Sequence, residues 1–136
     1  MDVEKLKQFL NENDTFCKVN SIQLTRVEPG YAEAEMRITA SHLNGRNVVQ
    51  GGAIMTLADF AFAGAANSTG AQTVSLNVNS NFIRPGTGSI MRAVARKVSQ
   101  GRTTSVYSVE VYNEDGKLAA TVTITGYIIG EWKEFD

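Results

Sequence analysis

Residues 51 to 67 read GGAIMTLADFAFAGAAN, and how these seventeen residues fold decides the architecture of the chain. They carry one charge, Asp59, and at 3.6 residues per turn their apolar side chains fall on nearly every face. A helix of this length spans about 25 Å and must be wrapped by protein rather than lie on a surface. It is slightly short for a bilayer, and Asp59 and Gly64 interrupt it, which disfavours a membrane span. The segment therefore reads as a buried central helix, and the rest of the chain has to supply its wrapping.

Before it, Val3, Leu6, Phe9 and Leu10 recur at helical spacing behind Asp2, a good N-cap, and predict a short amphipathic helix over residues 2–12. Residues 16 to 27 read as a strand. After the turn Glu28-Pro29-Gly30, the alternation Ala32, Ala34, Met36, Ile38 marks a second strand, making a hairpin. After the central helix come four more strands, over about 72–83, 88–99, 102–113 and 117–128. Pro85-Gly86, Gln100-Gly101 and the hairpin signal Asp115-Gly116 separate them. One long helix among about six antiparallel strands predicts an α+β fold in which a sheet curls around the helix. A single sheet covers only one side of so apolar a helix, so a second copy of the chain is expected on the other, as a homodimer and then a dimer of dimers.

The 136 residues suit one domain, read as 1–136, with no linker or repeat inside it. Thirteen Lys plus Arg against fourteen Asp plus Glu leave a net charge of −1, with no basic field for nucleic acid or an anionic membrane. One cysteine, Cys17, and one histidine, His42, can build neither a disulfide framework nor a Cys/His zinc cage. The first residues have no uninterrupted apolar run of the signal-peptide kind, and a reducing cytoplasm is the expected compartment.

Among groups able to do chemistry, Asp59 stands out, because a carboxylate inside an otherwise uncharged helix is costly to desolvate. Either it faces one wet stripe of the helix, or it is a catalytic carboxylate acting as general base or nucleophile. Gly51 and Gly52 open the same helix, where bare backbone N–H groups and the helix dipole favour a developing negative charge. Alone, such a pair is better explained as a simple helix-entry turn. His42 and Asn44, in the preceding loop, are ordinary loop residues by position, and His42 reads as structural because no base or nucleophile motif accompanies it.

The run His42-Leu43-Asn44-Gly45, followed by Gln50-Gly51-Gly52 and Leu57-Ala58-Asp59-Phe60-Ala61, resembles the signature of the hotdog-fold acyl-CoA thioesterases, and within them the PaaI-like type of phenylacetic acid degradation. Asn81-Phe82-Ile83-Arg84-Pro85, Gly101-Arg102 and Asp115-Gly116-Lys117 extend the resemblance over about residues 20 to 128. It implies a curled sheet around a long central helix and hydrolysis of an acyl-CoA to free acid and CoA, with no metal and no cofactor beyond the CoA of the substrate. It further implies that Asp59 is the catalytic carboxylate, that the Gly51 N–H polarises the thioester carbonyl, and that Asn44 orients the carboxylate or water. Ser75 matches a position contributed across the dimer interface, and Arg84 and Arg102 match candidate CoA contacts. Gln50 departs from the family's usual His, and Gln cannot take up a proton at neutral pH. Two other readings stay open: an enoyl-thioester hydratase, disfavoured by the lack of a suitably placed His, and a non-catalytic acyl-CoA-binding module.

Overall fold

A computed structural model describes residues 1–136. In chain order it contains α1 (Val3–Asn13), α2 (Thr15–Val19), β1 (Ile22–Glu28), β2 (Tyr31–Arg37), α3 (Gly51–Asn67), β3 (Ala71–Phe82), β4 (Ile90–Gln100), β5 (Thr104–Asn113) and β6 (Leu118–Glu131). The six strands form one antiparallel sheet in the order β1-β2-β4-β5-β6-β3. Register irregularities in β1, β3, β4 and at the β5–β6 pairing add local twist, and the sheet curls around α3 as expected.

Alternation along each strand decides which face meets the helix. Ala32, Ala34 and Met36 of β2 pair with Ala95, Ala93 and Met91 of β4, and all six are fully buried. Tyr107, Val109 and Val111 of β5, with Val122 and Ile124 of β6, continue this inner face. Against it α3 presents Ile54, Leu57, Ala58, Phe60, Ala61, Phe62 and Ala65. The alanines let the helix lie close to the sheet, and each large side chain buried there contributes about 1.5–3 kcal/mol. At Gly64 a Cβ would fall 2.8 Å from a Leu24 methyl and 3.1 Å from the Ala32 Cβ, so β1 and β2 can approach only because that side chain is absent.

The central helix occupies the predicted residues 51–67, but its uncovered side is narrower than its composition suggests. Beyond the first turn, where Gly51 and Ala53 are also partly exposed, exposure follows a stripe from Gly52 through Met55, Thr56, Asp59 and Ala63, at three- and four-residue spacing. Asp2 caps α1 through the Lys5 N–H at 3.2 Å, as predicted, and the helix runs one residue past the predicted end.

The strand predicted over residues 16–27 begins only at Ile22. Asp14 caps a new helix instead, its Oδ1 accepting from the Cys17 N–H at 3.0 Å, so that Thr15–Val19 becomes α2. Cys17 turns inward, while Phe16 and Val19 stay exposed. The last strand also outruns its prediction, because Ala71 of β3 pairs with Glu131. Beyond it, Trp132 and Phe135 pack against Phe9 of α1.

The two sheet edges differ. Along β1, the Asn11 side chain brackets Leu24, accepting from its N–H at 2.8 Å and donating to its carbonyl at 3.0 Å, so α1 occupies that edge. The twelve-residue β3 pairs only with β6 and leaves its other edge open, with Val74, Leu76 and Phe82 exposed.

Candidate active site

The uncovered stripe of α3 forms the floor of a cleft of about 510 Å³. Its walls come from Asp14, Phe16 and Cys17 at the α1–α2 junction and from Ser75 and Val78 of β3. Asp59 faces this stripe, yet it is not merely solvated there: Oδ1 is buried and has no hydrogen-bond partner. Burial, the largest cause, pushes its carboxyl above the ordinary value of 3.8. A Ser75 hydroxyl near enough to favour the anion works against this, and the Asp14 charge adds to it. The result is a desolvated carboxylate with an unsatisfied oxygen in an open cleft, able to take a proton from water or to attack an electrophile.

Ser75, expected from across a dimer interface, lines the cleft of its own chain's Asp59. The break in register between Ser75 and Asn77 delivers it there, since a bulge re-aims side chains locally.

At the N-terminus of α3 the Gln50 side chain folds back to accept from the Gly52 N–H, and Gln50 serves as N-cap. A Cβ on Gly52 would lie 2.7 Å from that Oε1, so the second glycine is what admits the cap. Gly51 keeps its N–H free of any partner within the chain, while Phe82 packs over its α-carbon, where a Cβ would lie 3.2 Å from the ring. One free donor therefore stands at the positive end of a seventeen-residue helix, a fit for a carbonyl oxygen gaining charge. A second cleft of about 460 Å³ opens at this end and shares Phe16, Gly52 and Thr56 with the Asp59 cleft.

His42 is structural, as predicted. It is buried, its Nδ1 accepts from the Thr39 N–H at 2.9 Å, and its Nε2 lies 2.7 Å from the Asn20 carbonyl, so both ring nitrogens are engaged in holding the loop. Asn44 does not reach Asp59 within the chain. Its Oδ1 accepts from the N–H groups of Arg46, at 2.8 Å, and Val48, at 3.4 Å, and so shapes the loop that leads into α3. Arg84 and Arg102 are not brought together either. Arg84 follows β3 and donates to the Leu118 carbonyl at 2.7 Å, whereas Arg102 sits beside Gly70, Ala71 and Trp132 at the opposite end of that strand. Nowhere do three or more His, Cys, Asp or Glu side chains gather to hold a metal ion, and no helix is long and apolar enough to cross a membrane.

Sequence reasoning missed Asp14, Phe16, Cys17 and Thr56 as cleft residues. The available signal was Asp14-Thr15, an N-cap followed by helix-compatible residues, where only the end of the first helix was read.

Residues 46–120 match the model of the thioesterase superfamily. The acyl-coenzyme A thioesterase PaaI of Escherichia coli is 37% identical over 120 residues, covering 88% of this chain and 86% of that protein. The structure of the E. coli PaaI protein from the phenylacetic acid degradation operon superposes with a TM-score of 0.90 at 33% identity, covering 95% of this chain and 94% of that one. A Streptococcus mutans protein solved with acetyl CoA bound gives a TM-score of 0.78 at 28% identity over 82% of this chain and 91% of its own. With its sheet curled around one long helix and these relatives along nearly its whole length, the chain belongs to the thioesterase superfamily as a hotdog-fold enzyme of the PaaI-like acyl-CoA thioesterase family.

Proposed function

We propose that the protein hydrolyses an acyl-CoA thioester to the free acid and CoA, with Asp59 as the reacting carboxylate and the N-terminus of α3 as the oxyanion hole. The observation that carries this reading is the buried, unpartnered Asp59 oxygen facing an open cleft. The names of the relatives support the substrate class: one is an acyl-coenzyme A thioesterase, and another holds acetyl CoA. The chemistry needs no metal or redox cofactor. Asp59 either takes a proton from water as that water attacks the thioester carbonyl and then passes it to the departing sulfur, or attacks that carbon itself to give a mixed anhydride, the departing sulfur taking its proton from solvent and a water then cleaving the anhydride to the free acid and the regenerated carboxylate. The carbonyl oxygen draws on the Gly51 N–H, and CoA leaves as the thiol.

One copy of the chain does not complete this site. Gly51 and Asp59 are eight residues apart, about 12 Å along the helix axis, too far for both to address one carbonyl carbon. The open edge of β3 supplies the remedy: a second copy adding antiparallel to it closes the exposed edge and covers Val74 and Leu76. The two helices then run side by side in opposite directions, so that Asp59 of one protomer meets the partner's Gly51. Asn44 travels with Gly51, because Gln50 donates to the His42 carbonyl at 2.9 Å and Leu43 pairs with Val49. Asn44 is therefore assigned to the site that Gly51 serves, across the dimer, and two such dimers associate in turn. Arg84, near the helix tip, and Arg102, at the far end of β3, are assigned to CoA phosphates, each as a separate contact.

Purified protein incubated with aryl-, short-, medium- and long-chain acyl-CoAs, with released thiol measured, tests the reaction. Release from none of them refutes it, and conversion of an enoyl-CoA without thiol release would indicate a hydratase. Sedimentation at micromolar concentration is expected to show dimers or larger, with Leu76→Arg shifting the population to monomer. A stable folded monomer of the parent refutes the assembly.

A further inference from the structure

The Asp59 cleft contains a second carboxylate that the proposed chemistry does not use. Asp14 ends α1 and begins α2: its N–H donates to the Leu10 carbonyl at 3.0 Å and its Oδ1 accepts from the Cys17 N–H at 3.0 Å. These attachments pin the carboxylate in the cleft wall. Neither Asp14 nor Asp59 enters any ion pair of the chain, and no Lys, Arg or His lines the cleft between them.

We propose that Asp14 is a positioning residue acting through Asp59: its fixed negative charge, facing the same cation-free cleft, sets the pH range over which the reacting carboxylate works. This rests on the reading of Asp59 as the reacting group. A carboxylate that faces a like charge in a partly desolvated space releases its proton at higher pH and, once ionised, is a stronger base. The direction agrees with the Asp59 carboxyl, which burial raises most and the Asp14 charge raises further.

Within the chain no other group supplies the same field. Cys17 is the only other titratable residue of the cleft, and burial, with the two aspartates, pushes its thiol up and keeps it neutral. Tyr107 of β5 donates to the Ala65 carbonyl at 3.3 Å, farther along α3, and His42 is committed to Thr39 and Asn20 at the helix tip. The inward residues of β1, β2 and β4 against α3 are apolar: Ile22, Leu24 and Val27, then Ala32, Ala34 and Met36, then Met91, Ala93 and Ala95.

The N-cap role of Asp14 allows charge to be separated from structure. Asn and Ser both cap helices well without charge, so Asp14→Asn and Asp14→Ser retain α2 while deleting the field. Glu12→Gln, an exposed α1 residue outside the cleft, is the control. In the intact protein the Asp59 carboxyl carbon is titrated by NMR, and kcat/KM for the best acyl-CoA from the thiol-release screen is followed against pH. The Asp59 midpoint is expected to fall in both Asp14 variants and to stay in place in the control. On the acid limb, kcat/KM relative to its own plateau should rise roughly two- to fivefold. An unchanged midpoint in both variants overturns the proposal, whether or not hydrolysis or melting temperature changes, and leaves Asp14 as a helix cap. A parent with no thiol release but a midpoint that moves overturns the functional reading and supports the coupling.

Discussion

Asp59→Asn should have opposite effects on activity and stability. The substitution keeps the shape of the side chain and its reach toward Ser75 while removing the charge. Loss of the base or nucleophile should lower kcat by at least about a hundredfold, the scale of a general acid–base contribution. Stability should move the other way. The Asp59 carboxyl is raised above 3.8 in the folded protein, so the folded state holds its proton more tightly than the unfolded chain does. Stability therefore declines as pH rises from the unfolded value through the folded one, and the full cost is present above both. Each unit of displacement is worth about 1.4 kcal/mol. Asparagine does not titrate, so the variant escapes this cost at neutral pH and should melt higher, by about 4 °C per kcal/mol recovered in a chain of this size. Below the unfolded value both states of the parent are protonated and the advantage should vanish. Thiol release at pH 7, with calorimetric melts at pH 7 and at pH 3.5 or below, reads both effects. Retained turnover refutes the catalytic assignment. A variant less stable at neutral pH, or an advantage that does not shrink on acidification, refutes the claim that Asp59 is held in the helix at a cost.

Two further perturbations probe the frame around the site. Gly64→Ala should destabilise the protein by about 1–3 kcal/mol, because the added methyl meets Leu24 and Ala32 in a close-packed layer; chemical denaturation measures it, and an unchanged midpoint would show that β1 can yield. Gln50→Ala removes the side chain that accepts from the Gly52 N–H and should cost about 0.5–2 kcal/mol as a lost N-cap while leaving the Gly51 donor in place. Turnover should then fall far less than in Asp59→Asn, and a comparable loss of kcat would assign Gln50 to the chemistry.

The fold was legible because its deciding features are local. Seventeen residues with one charge can only be a wrapped helix, and Asp115-Gly116 makes the predicted hairpin turn, with Gly116 at φ +84° and the Lys117 N–H bonded to Asp115 at 2.9 Å. The misreading at residues 16–21 has a local cause as well. Phe16 and Val19 are strand-friendly residues, but the cap at Asp14 and the inward turn of Cys17 outweigh that preference over five residues. What the sequence did not show is that Asp14 and Ser75 of the same chain stand beside Asp59: Asp14 was missed and Ser75 was expected from across a dimer interface. Asp14 lies forty-five positions before it and Ser75 sixteen after, and both reach the cleft only through packing of α2 and a bulge in β3.

That division also explains the arrangement of the site. A helix wrapped by its own sheet on all but one stripe has one place for a carboxylate to meet a substrate, and Asp59 occupies it. The same helix has one end with a free N–H, and Gly51 occupies that. No rotamer brings the two together, because the separation is built into the rise of the helix. If Asp59 and the Gly51 N–H act on one carbonyl, as proposed, one of them has to come from a second α3, and the chain leaves the β3 edge beside the cleft unpaired, with Val74 and Leu76 exposed. Under the proposed mechanism the open edge and the separation of the two groups are one requirement, and pairing the edge would assemble the site. A monomeric variant that kept its fold should accordingly lose turnover even with Asp59 intact.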